Sequence, residues 1–180
     1  MVDTNLSLSA LDNSKRLMAE LKDYLDYDPA TGLFVWSKDY HKNKAGTSPK
    51  ASHSEGYLRV QFKKTRFFLH KVAFFWEHGY LPEEVDHVDL NTSNNAITNL
   101  RAATQQQNSC NKSTRGFSRY RGVYYHKRNN KWCSVVVSKQ QKHYLGSFLT
   151  EEAAAEAYNK AAVKYHGEFA RLNMVEYVKA

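Results

Sequence analysis

The most constraining feature of the sequence is a polar stretch at residues 85–111, VDHVDLNTSNNAITNLRAATQQQNSCN. It places an acid and a histidine side by side, Asp86 and His87, and continues through three asparagines between positions 91 and 95. Buried carboxylate, imidazole and amide groups each need a hydrogen-bond partner, so this composition is not that of an ordinary core segment. Because asparagine tolerates tight turns and left-handed backbone, we expect the middle of the stretch to be a shaped loop.

The spacing of the polar residues is compatible with one common site. Asn99 follows His87 by 12 positions and Asn108 follows Asp86 by 22, so a strand end and a following helix could present these side chains to one point. Carboxylate and amide oxygens are hard ligands suited to Mg²⁺ or a similar divalent ion. A neighbouring imidazole can take a proton from water near neutral pH.

These positions resemble the HNH nucleases, specifically the zinc-free branch found among phage and intron homing endonucleases. The resemblance implies a ββα-metal fold in which Asp86 and Asn108 hold one divalent ion, Mg²⁺ or Mn²⁺, and His87 is the general base. It also implies that Asn99 accepts a hydrogen bond from the far ring nitrogen of His87 and fixes the ring. The resemblance covers residues 20–111, and its motifs are Asp86-His87, residues 89–95, Asn99-Leu100, Asn108 and the leading segment Tyr27-Asp28-Pro29-x-Thr31-Gly32-Leu33-Phe34-x-Trp36.

Periodicity predicts the elements that precede this stretch. Apolar residues at helical spacing predict a helix over residues 14–27, followed by a turn and a short strand at 33–36. Alternation predicts a β-hairpin over 56–69, and the next segment, 70–79, is expected to be a helix that ends at glycine.

Three residues of this region are candidates for a supporting role at the site. Arg59 and Arg66 give the predicted hairpin a basic edge. His70 stands where this branch of HNH nucleases usually has a histidine, in Leu-His-Lys-Val-Ala. A buried, hydrogen-bonded histidine without a catalytic role is an equally good interpretation of His70.

The C-terminal part of the chain has a second pattern. Strands are predicted at 120–126, 131–137 and 142–148, and a helix is predicted to begin after a Thr150 cap and to stop at Gly167. A stripe of small residues on that helix would allow close packing on the sheet. We therefore expect a three-stranded antiparallel sheet covered by one helix, which makes the whole chain an α+β protein of two domains.

Residues 120–173 resemble the AP2 DNA-binding domain, in which alternate side chains on the outer face of the sheet contact DNA in the major groove. The resemblance therefore implies a set of DNA-binding residues: Arg119, Arg121, Tyr124, His126, Lys131, Lys142 and Tyr144. Several outer-face positions that are arginine in the plant regulators are here Tyr124, His126, Val135 and Val137. Recognition of guanine is not expected from them, because tyrosine and valine cannot form the bidentate arginine–guanine pair. The motifs are Tyr120-Arg121-Gly122-Val123, Lys131-Trp132, Tyr144-Leu145-Gly146-x-Phe148, Ala157-Tyr158-Asn159-x-Ala161-Ala162, His166-Gly167 and Leu172-Asn173.

Charge and cysteine usage narrow the partners and the compartment. The net charge is +8, and residues 90–150 contain no Asp or Glu but ten Lys or Arg, which favours a polyanionic partner. Cys110 and Cys133 form no CxxC pair, so no structural zinc or disulfide framework is expected. The sequence shows no long apolar run and no signal peptide. We therefore expect a soluble cytoplasmic protein of a bacterial or phage-infected cell, with no membrane association.

The sequence thus predicts a site-directed, metal-dependent DNA endonuclease with a nuclease domain at 1–111, a linker at 112–118 and an AP2-like domain at 119–175 that binds double-stranded DNA. No obligate protein partner is implied, and a monomer or weak dimer is expected. Two other functions stay open at this point. One is a non-catalytic DNA-binding regulator with a relic nuclease domain, and the other is an RNA-binding module.

Overall fold

The computed structural model describes residues 4–49, 51–52, 56–109 and 118–175. The chain divides into two compact units, Met1–Ala103 and Thr104–Ala180. Apart from Ser118, the predicted linker lies outside the described residues. Helices alternate with small antiparallel sheets along the chain, and the predicted α+β fold class is confirmed.

The described part of the first unit contains two helices and seven short strands. The bounds are α1 Thr4–Leu21, β1 Leu25–Asp28, β2 Leu33–Trp36, β3 Ala51–Ser52, β4 Leu58–Phe62, β5 Thr65–Phe68, α2 Leu69–His78, β6 Glu84–His87 and β7 Leu100–Ala103, with a 3-10 turn at Ile97–Asn99. All strand pairings are antiparallel: β1 pairs with β2, and β6 pairs with β7. In the three-stranded sheet, β4 is central and pairs with β3 on one side and with β5 on the other.

The core of this unit forms around α2, whose apolar face is fully buried. Val72 and Ala73 on α2 are completely buried, as are Leu21 of α1 and Phe62 of β4. The helix ends where the sequence predicted, because Gly79 adopts a left-handed φ of 73° and its N–H donates to the Phe75 carbonyl. This core holds β6, the strand that ends in Asp86 and His87, against α2.

One predicted element is wrong. The helix expected over 14–27 instead runs from Thr4 to Leu21, and Leu25–Asp28 is a strand paired with β2. The reversal is made by Asp28, whose carboxylate accepts hydrogen bonds from the Ala30 N–H at 2.9 Å and from the Thr31 hydroxyl at 2.6 Å. Burial of Leu25 and pairing with β2 outweigh the helical spacing of the apolar residues, which is a local signal only.

The second unit is a three-stranded antiparallel sheet with one long helix, as predicted. The bounds are α3 Gln105–Ser109, β8 Val123–His126, β9 Lys131–Ser138, β10 Gln141–Phe148 and α4 Glu151–His166. The strand order is β10-β9-β8, so β9 is central. Thr150 caps α4 by accepting from the Ala153 N–H at 3.2 Å.

Small side chains allow α4 to approach the sheet closely. Ala154, Ala155 and Ala162 on the helix are completely buried. A Cβ atom at Gly122 would lie 2.1 Å from the Tyr158 ring and 2.4 Å from the Val135 carbonyl oxygen, so only glycine fits there. The helix therefore covers one face of the sheet and leaves the other face as the candidate interface.

Candidate active site and nucleic-acid interface

Asp86 and His87 lie together at the end of β6 and are almost completely buried, with 4% and 3% of their surface exposed. Asp86 faces Arg101 across the antiparallel pair of β6 and β7. Both Nε and Nη2 of Arg101 contact Oδ2 of Asp86, at 2.9 and 2.8 Å. A buried carboxylate needs such a counter-charge, and this partner of Asp86 was not predicted from the sequence.

The imidazole of His87 is held by Asn95. Nε2 of His87 lies 3.2 Å from Oδ1 of Asn95. With the Asn95 amide in this orientation its oxygen accepts, so Nε2 carries the hydrogen and Nδ1 is the basic nitrogen of the ring; Nδ2 of Asn95 has no hydrogen-bond partner among the described residues. Asn95 is itself 1% exposed, which fixes this acceptor in the protein interior.

Asn99 does not have the role that the sequence predicted. Its Oδ1 accepts from the Asp89 N–H at 2.9 Å, and its Nδ2 donates to the Asp89 carboxylate and to the Asn94 carbonyl, both at 2.8 Å. Asn99 therefore closes the loop between β6 and β7, and Asn95, not Asn99, contacts the His87 ring. Both residues are asparagines of one polar loop, so the sequence alone carried no signal that distinguishes them.

Hydrogen bonds within this loop keep Asp89 ionised. Burial acts to raise the pKa of Asp89, but hydrogen bonds from Asn94, the Asn91 N–H and Asn99 hold that pKa below its ordinary value. Asp89 and its partners Asn91, Asn94 and Asn99 form a closed hydrogen-bond network. This network sets the path of the chain between His87 and β7.

Burial lowers the pKa of His87, although the hydrogen bond to Asn95 and the charges of Asp89 and Asp86 act in the opposite direction. The ring is therefore neutral near pH 7, which is the form that can accept a proton. A neutral imidazole with one nitrogen occupied by an amide oxygen is suited to act as a general base through the other.

His70 packs directly against His87. The ring centroids of the two histidines are 5.1 Å apart, and the Tyr57 centroid lies 5.0 Å from that of His70 and 5.9 Å from that of His87. Burial, followed by the charges of His87 and Lys71, lowers the pKa of His70 to about 3. Nδ1 of His70 has no hydrogen-bond partner among the described residues, so this histidine is a neutral packing partner of the candidate base.

The N-terminal hairpin turn holds the site loop, a contact that was not predicted from the sequence. The Tyr27 hydroxyl donates to the Asn95 carbonyl at 2.8 Å, and the Ile97 N–H donates to the Pro29 carbonyl at 2.9 Å. A Cβ atom at Gly32 would lie only 2.2 Å from the Ala96 nitrogen. The Tyr-Asp-Pro-x-Thr-Gly segment therefore positions the loop that contains Asn95.

Asn108 lies on the short helix α3. Its backbone N–H donates to the Thr104 carbonyl at 3.0 Å. Thr104 caps this helix reciprocally with Gln107, through hydrogen bonds of 2.7 and 3.2 Å. Because α3 falls in the second compact unit, a shared metal ion between Asn108 and Asp86 stays a prediction.

Asp86 is the carboxylate predicted to bind a divalent ion, and that role stays a prediction. The Arg101 guanidinium contacts Oδ2 of this carboxylate, so a metal ion at Oδ2 would have to displace it. Within the part of the chain that the structure describes, no cluster of three or more His, Cys, Asp or Glu could hold a metal ion. Amide oxygens and phosphate oxygens would therefore have to complete the coordination of an ion at Asp86.

The two supporting arginines lie on the β4–β5 hairpin. Arg59 pairs with Phe68, and Arg66 pairs with Gln61 across the strands. Arg66 is exposed and Arg59 is half-buried. Their contact with nucleic acid stays a prediction.

The outer face of the second sheet carries most of the predicted DNA-binding residues. The cross-strand pairs Val137–Lys142, Val135–Tyr144 and His126–Lys131 lie on that face, together with Tyr124. Tyr124, Val137 and Tyr144 are exposed, at 37%, 53% and 59%. The Lys142 ammonium lies 5.4 Å from the centre of the Tyr124 ring, so cationic and aromatic groups alternate on this surface.

Arg119 and Arg121 are held by contacts within the second unit. Nη2 of Arg119 lies 2.7 Å from Glu152, Nε lies 3.7 Å from Glu151, and the guanidinium lies over the Tyr120 ring. The Arg121 N–H donates to the Asn173 side chain at 2.7 Å. Arg119 would have to exchange these ion pairs for phosphate if it bound DNA.

Comparison with known proteins finds two kinds of similarity in the chain. Residues 67–110 match the family of HNH endonucleases. An uncharacterized HNH endonuclease of Acanthamoeba polyphaga mimivirus is 44% identical over 101 residues, which cover 55% of this chain and 52% of the viral protein. The AP2-like ethylene-responsive transcription factor TOE2 of Arabidopsis thaliana is 45% identical over 58 residues, 32% of this chain and 12% of the plant protein.

A rice protein is similar to the same extent. The AP2-like ethylene-responsive transcription factor CRL5 of Oryza sativa subsp. japonica is 46% identical over 56 residues, 30% of this chain and 9% of that protein. The chain thus spans about half the length of its viral relative and a much smaller share of the plant factors.

The two parts of the chain are thus similar to two different groups of proteins. Residues 67–110 are similar to HNH endonucleases, and the C-terminal part is similar to the AP2-like plant factors, in agreement with both predicted resemblances. No helix in the described ranges is long and apolar enough to cross a membrane.

Proposed function

We propose that this chain is a metal-dependent, site-directed DNA endonuclease of the homing-endonuclease type that hydrolyses phosphodiester bonds in double-stranded DNA. The observation that carries the proposal is the buried Asp86-His87 pair, whose imidazole is neutral and oriented by Asn95, within the segment that matches HNH endonucleases. The pair supplies a carboxylate ligand and a base at adjacent positions.

His87 performs the proton transfer in the proposed reaction. With Nε2 donating to Asn95, Nδ1 takes a proton from a water molecule, and the resulting hydroxide attacks phosphorus in line with the leaving 3′ oxygen. Asp86 and Asn108 would hold Mg²⁺ or Mn²⁺, which when bound stabilises charge on the phosphate and on the leaving oxygen. His70 and Tyr57 pack against the His87 ring and exclude water from that side of it.

The AP2-type unit positions the chain on duplex DNA. Arg121, Lys131 and Lys142 would neutralise backbone phosphates, a contact that does not depend on base sequence. Exposed Tyr124 and Val137 stand where the plant regulators have arginine, so direct arginine–guanine readout is not part of the proposed recognition. Two unlike units in one chain suit a monomer on an asymmetric site.

Plasmid nicking tests the proposal directly. Supercoiled DNA with Mg²⁺ or Mn²⁺ should be nicked by the wild-type protein, and EDTA should abolish the reaction. His87→Ala, Asp86→Ala and Asn108→Ala should lose nicking and still bind DNA. Arg121→Ala should weaken DNA binding and leave Mn²⁺ affinity unchanged.

An exposed histidine provides the matched control for His87. His78 lies at the end of α2 and contacts only the Phe74 and Tyr80 rings among the aromatic residues described. His78→Ala should therefore nick DNA at the wild-type rate. Equal loss of nicking in both histidine variants, or equal loss of DNA binding in all the site variants, would contradict the assigned roles.

One observation favours a second function, that of a DNA-binding regulator with a relic nuclease segment. Arg101 forms an ion pair with Asp86, the carboxylate that is proposed to bind the metal ion. A regulator would bind duplex DNA with the wild-type affinity in the presence of Mn²⁺ and leave it intact. The same nicking assay therefore distinguishes the two functions.

A further inference from the structure

Two tight turns of the first unit hold basic residues in a left-handed backbone conformation. Lys63 and Lys64 connect β4 to β5 with φ values of 45° and 65°, and His41 has a φ of 52°. A two-residue hairpin turn with positive φ at both positions favours Asn-Gly, and lysine is strained there. Non-glycine residues in such a conformation are found more often at functional sites, so the two turns are candidates for a binding role.

The two turns lie side by side and are joined by one tyrosine. The Lys63 N–H donates to the Tyr40 hydroxyl at 3.0 Å, and the Tyr40 ring stacks on Trp36 with the ring centroids 5.6 Å apart. Tyr40 and Asn43 form a β-bridge that closes the first turn. We call residues 40–43 and 61–64 the twin-turn surface. Together they line a cavity of about 740 Å³. The lining residues are Tyr40, His41, Lys42, Asn43, Gln61, Lys63 and Lys64.

The twin-turn surface keeps a net positive charge. Lys63 forms an ion pair with Glu20, whereas Lys42 and Lys64 form no ion pair with any residue that the structure describes. The nearby acid Asp39 is engaged by the Lys44 ammonium at 2.6 Å and by the Ala45 N–H at 2.9 Å. The remaining lining groups, including two side-chain amides, can donate hydrogen bonds to an anion.

We propose that the twin-turn surface binds the phosphate backbone of duplex DNA, as a contact additional to the Asp86-His87 site and to the outer face of the second sheet. Lysine is a flexible point charge, suited to phosphate and unsuited to reading base edges. The surface thus sets the position of the duplex on the nuclease unit without choosing its sequence. The inference rests on the proposed function, because it takes duplex DNA as the substrate.

The variant Lys63→Asn/Lys64→Gly separates folding from binding. Asparagine and glycine are the residues that the turn geometry prefers, so the melting temperature of the full-length protein should rise. DNA binding should weaken at the same time, because the variant removes two positive charges. In anisotropy titrations with a labelled duplex at about 50–200 mM salt, the slope of log affinity against log salt should become shallower by about 0.9 for each phosphate that is no longer neutralised.

Two further variants control this measurement. Lys42→Gln/Lys64→Gln removes charge from both turns without introducing glycine, and it should give the same shallower slope. Lys15→Gln/Lys22→Gln removes two positive charges at α1 and just after it, and it should keep the wild-type slope. A selective effect of the twin-turn variants supports the proposal.

Three outcomes would overturn the proposal. They are an unchanged salt slope in both twin-turn variants, an equal change of slope in the α1 control, and stronger competition by RNA than by duplex DNA. Failure of the wild-type protein to bind duplex DNA at all would instead remove the proposed function itself. The two failures are therefore distinguishable in one set of titrations.

Discussion

Replacing Gly32 by alanine should destabilise the first unit and displace the loop that contains Asn95. Gly32 has a left-handed φ of 75°, and its missing Cβ would lie 2.2 Å from the Ala96 nitrogen and 2.4 Å from the Asn95 carbonyl carbon. These neighbours are backbone atoms, so they cannot move away as a flexible side chain could. Asn95 holds the imidazole of His87, and the displacement should therefore reach the proposed base.

The magnitude follows from two contributions. A left-handed backbone costs a residue other than glycine about 1–2 kcal/mol. Forcing a methyl group into a packed interior costs typically about 1–3 kcal/mol more. Gly32→Ala should thus lower the free energy of unfolding by about 2–5 kcal/mol, a large part of the roughly 5–15 kcal/mol of a whole domain.

Gly46→Ala is the matched control. Gly46 has a φ of 78°, and a Cβ atom there would have no neighbour within 4 Å among the described residues. Gly46→Ala therefore incurs only the cost of placing alanine in a left-handed backbone conformation. Replacing glycine also lowers the entropy of the unfolded chain, and this effect is common to both variants. In thermal unfolding followed by circular dichroism, Gly32→Ala should melt at least about 4 °C below Gly46→Ala. Equal melting temperatures would refute the assigned close approach.

Three further predictions concern the buried groups of the site. Burial lowers the pKa of His70 in the folded protein to about 3. Between about pH 3 and pH 6.5, the unfolded chain therefore carries a proton on this residue that the folded protein lacks. Stability present above about pH 6.5 should decrease as the pH falls, and His70→Gln should flatten urea-unfolding profiles by up to about 1.4 kcal/mol per pH unit. Arg101→Met should cost roughly 3–5 kcal/mol in urea unfolding by removing the guanidinium from the buried Asp86 carboxylate, and adding Asp86→Asn should recover most of it; an additive double variant would contradict this. Asn95→Ala should slow nicking and cost about 1–3 kcal/mol in the same unfolding assay, because it leaves the buried Nε2 of His87 without its acceptor, and Asn99→Ala should cost a similar amount through the lost loop hydrogen bonds.

Much of the local structure was predictable from short-range signals. The cap at Thr150, the glycine stop at Gly79 and the β4–β5 hairpin all depend on residues within a few positions of one another. The HNH and AP2 motifs located the two segments that are similar to known proteins for the same reason, because each motif is a continuous stretch of chain.

The helix predicted through residue 27 shows where such signals stop. The apolar spacing of residues 17–25 fits a helix, but Leu25 is completely buried in a strand, where it pairs with Trp36. A strand can replace a helix when a partner strand and a core position are available, and neither is visible in local periodicity.

The sequence by itself determined that an acid, a histidine and several asparagines share one polar loop, and that a sheet with basic and aromatic residues follows. Only the tertiary structure decided which asparagine serves the imidazole. Asn95 takes that position because Gly32 and Tyr27, which come much earlier in the chain, pack against its backbone, while Asn99 bonds to its own loop. Chemically equivalent side chains acquire different roles through long-range packing, and that packing exists only once the chain has folded.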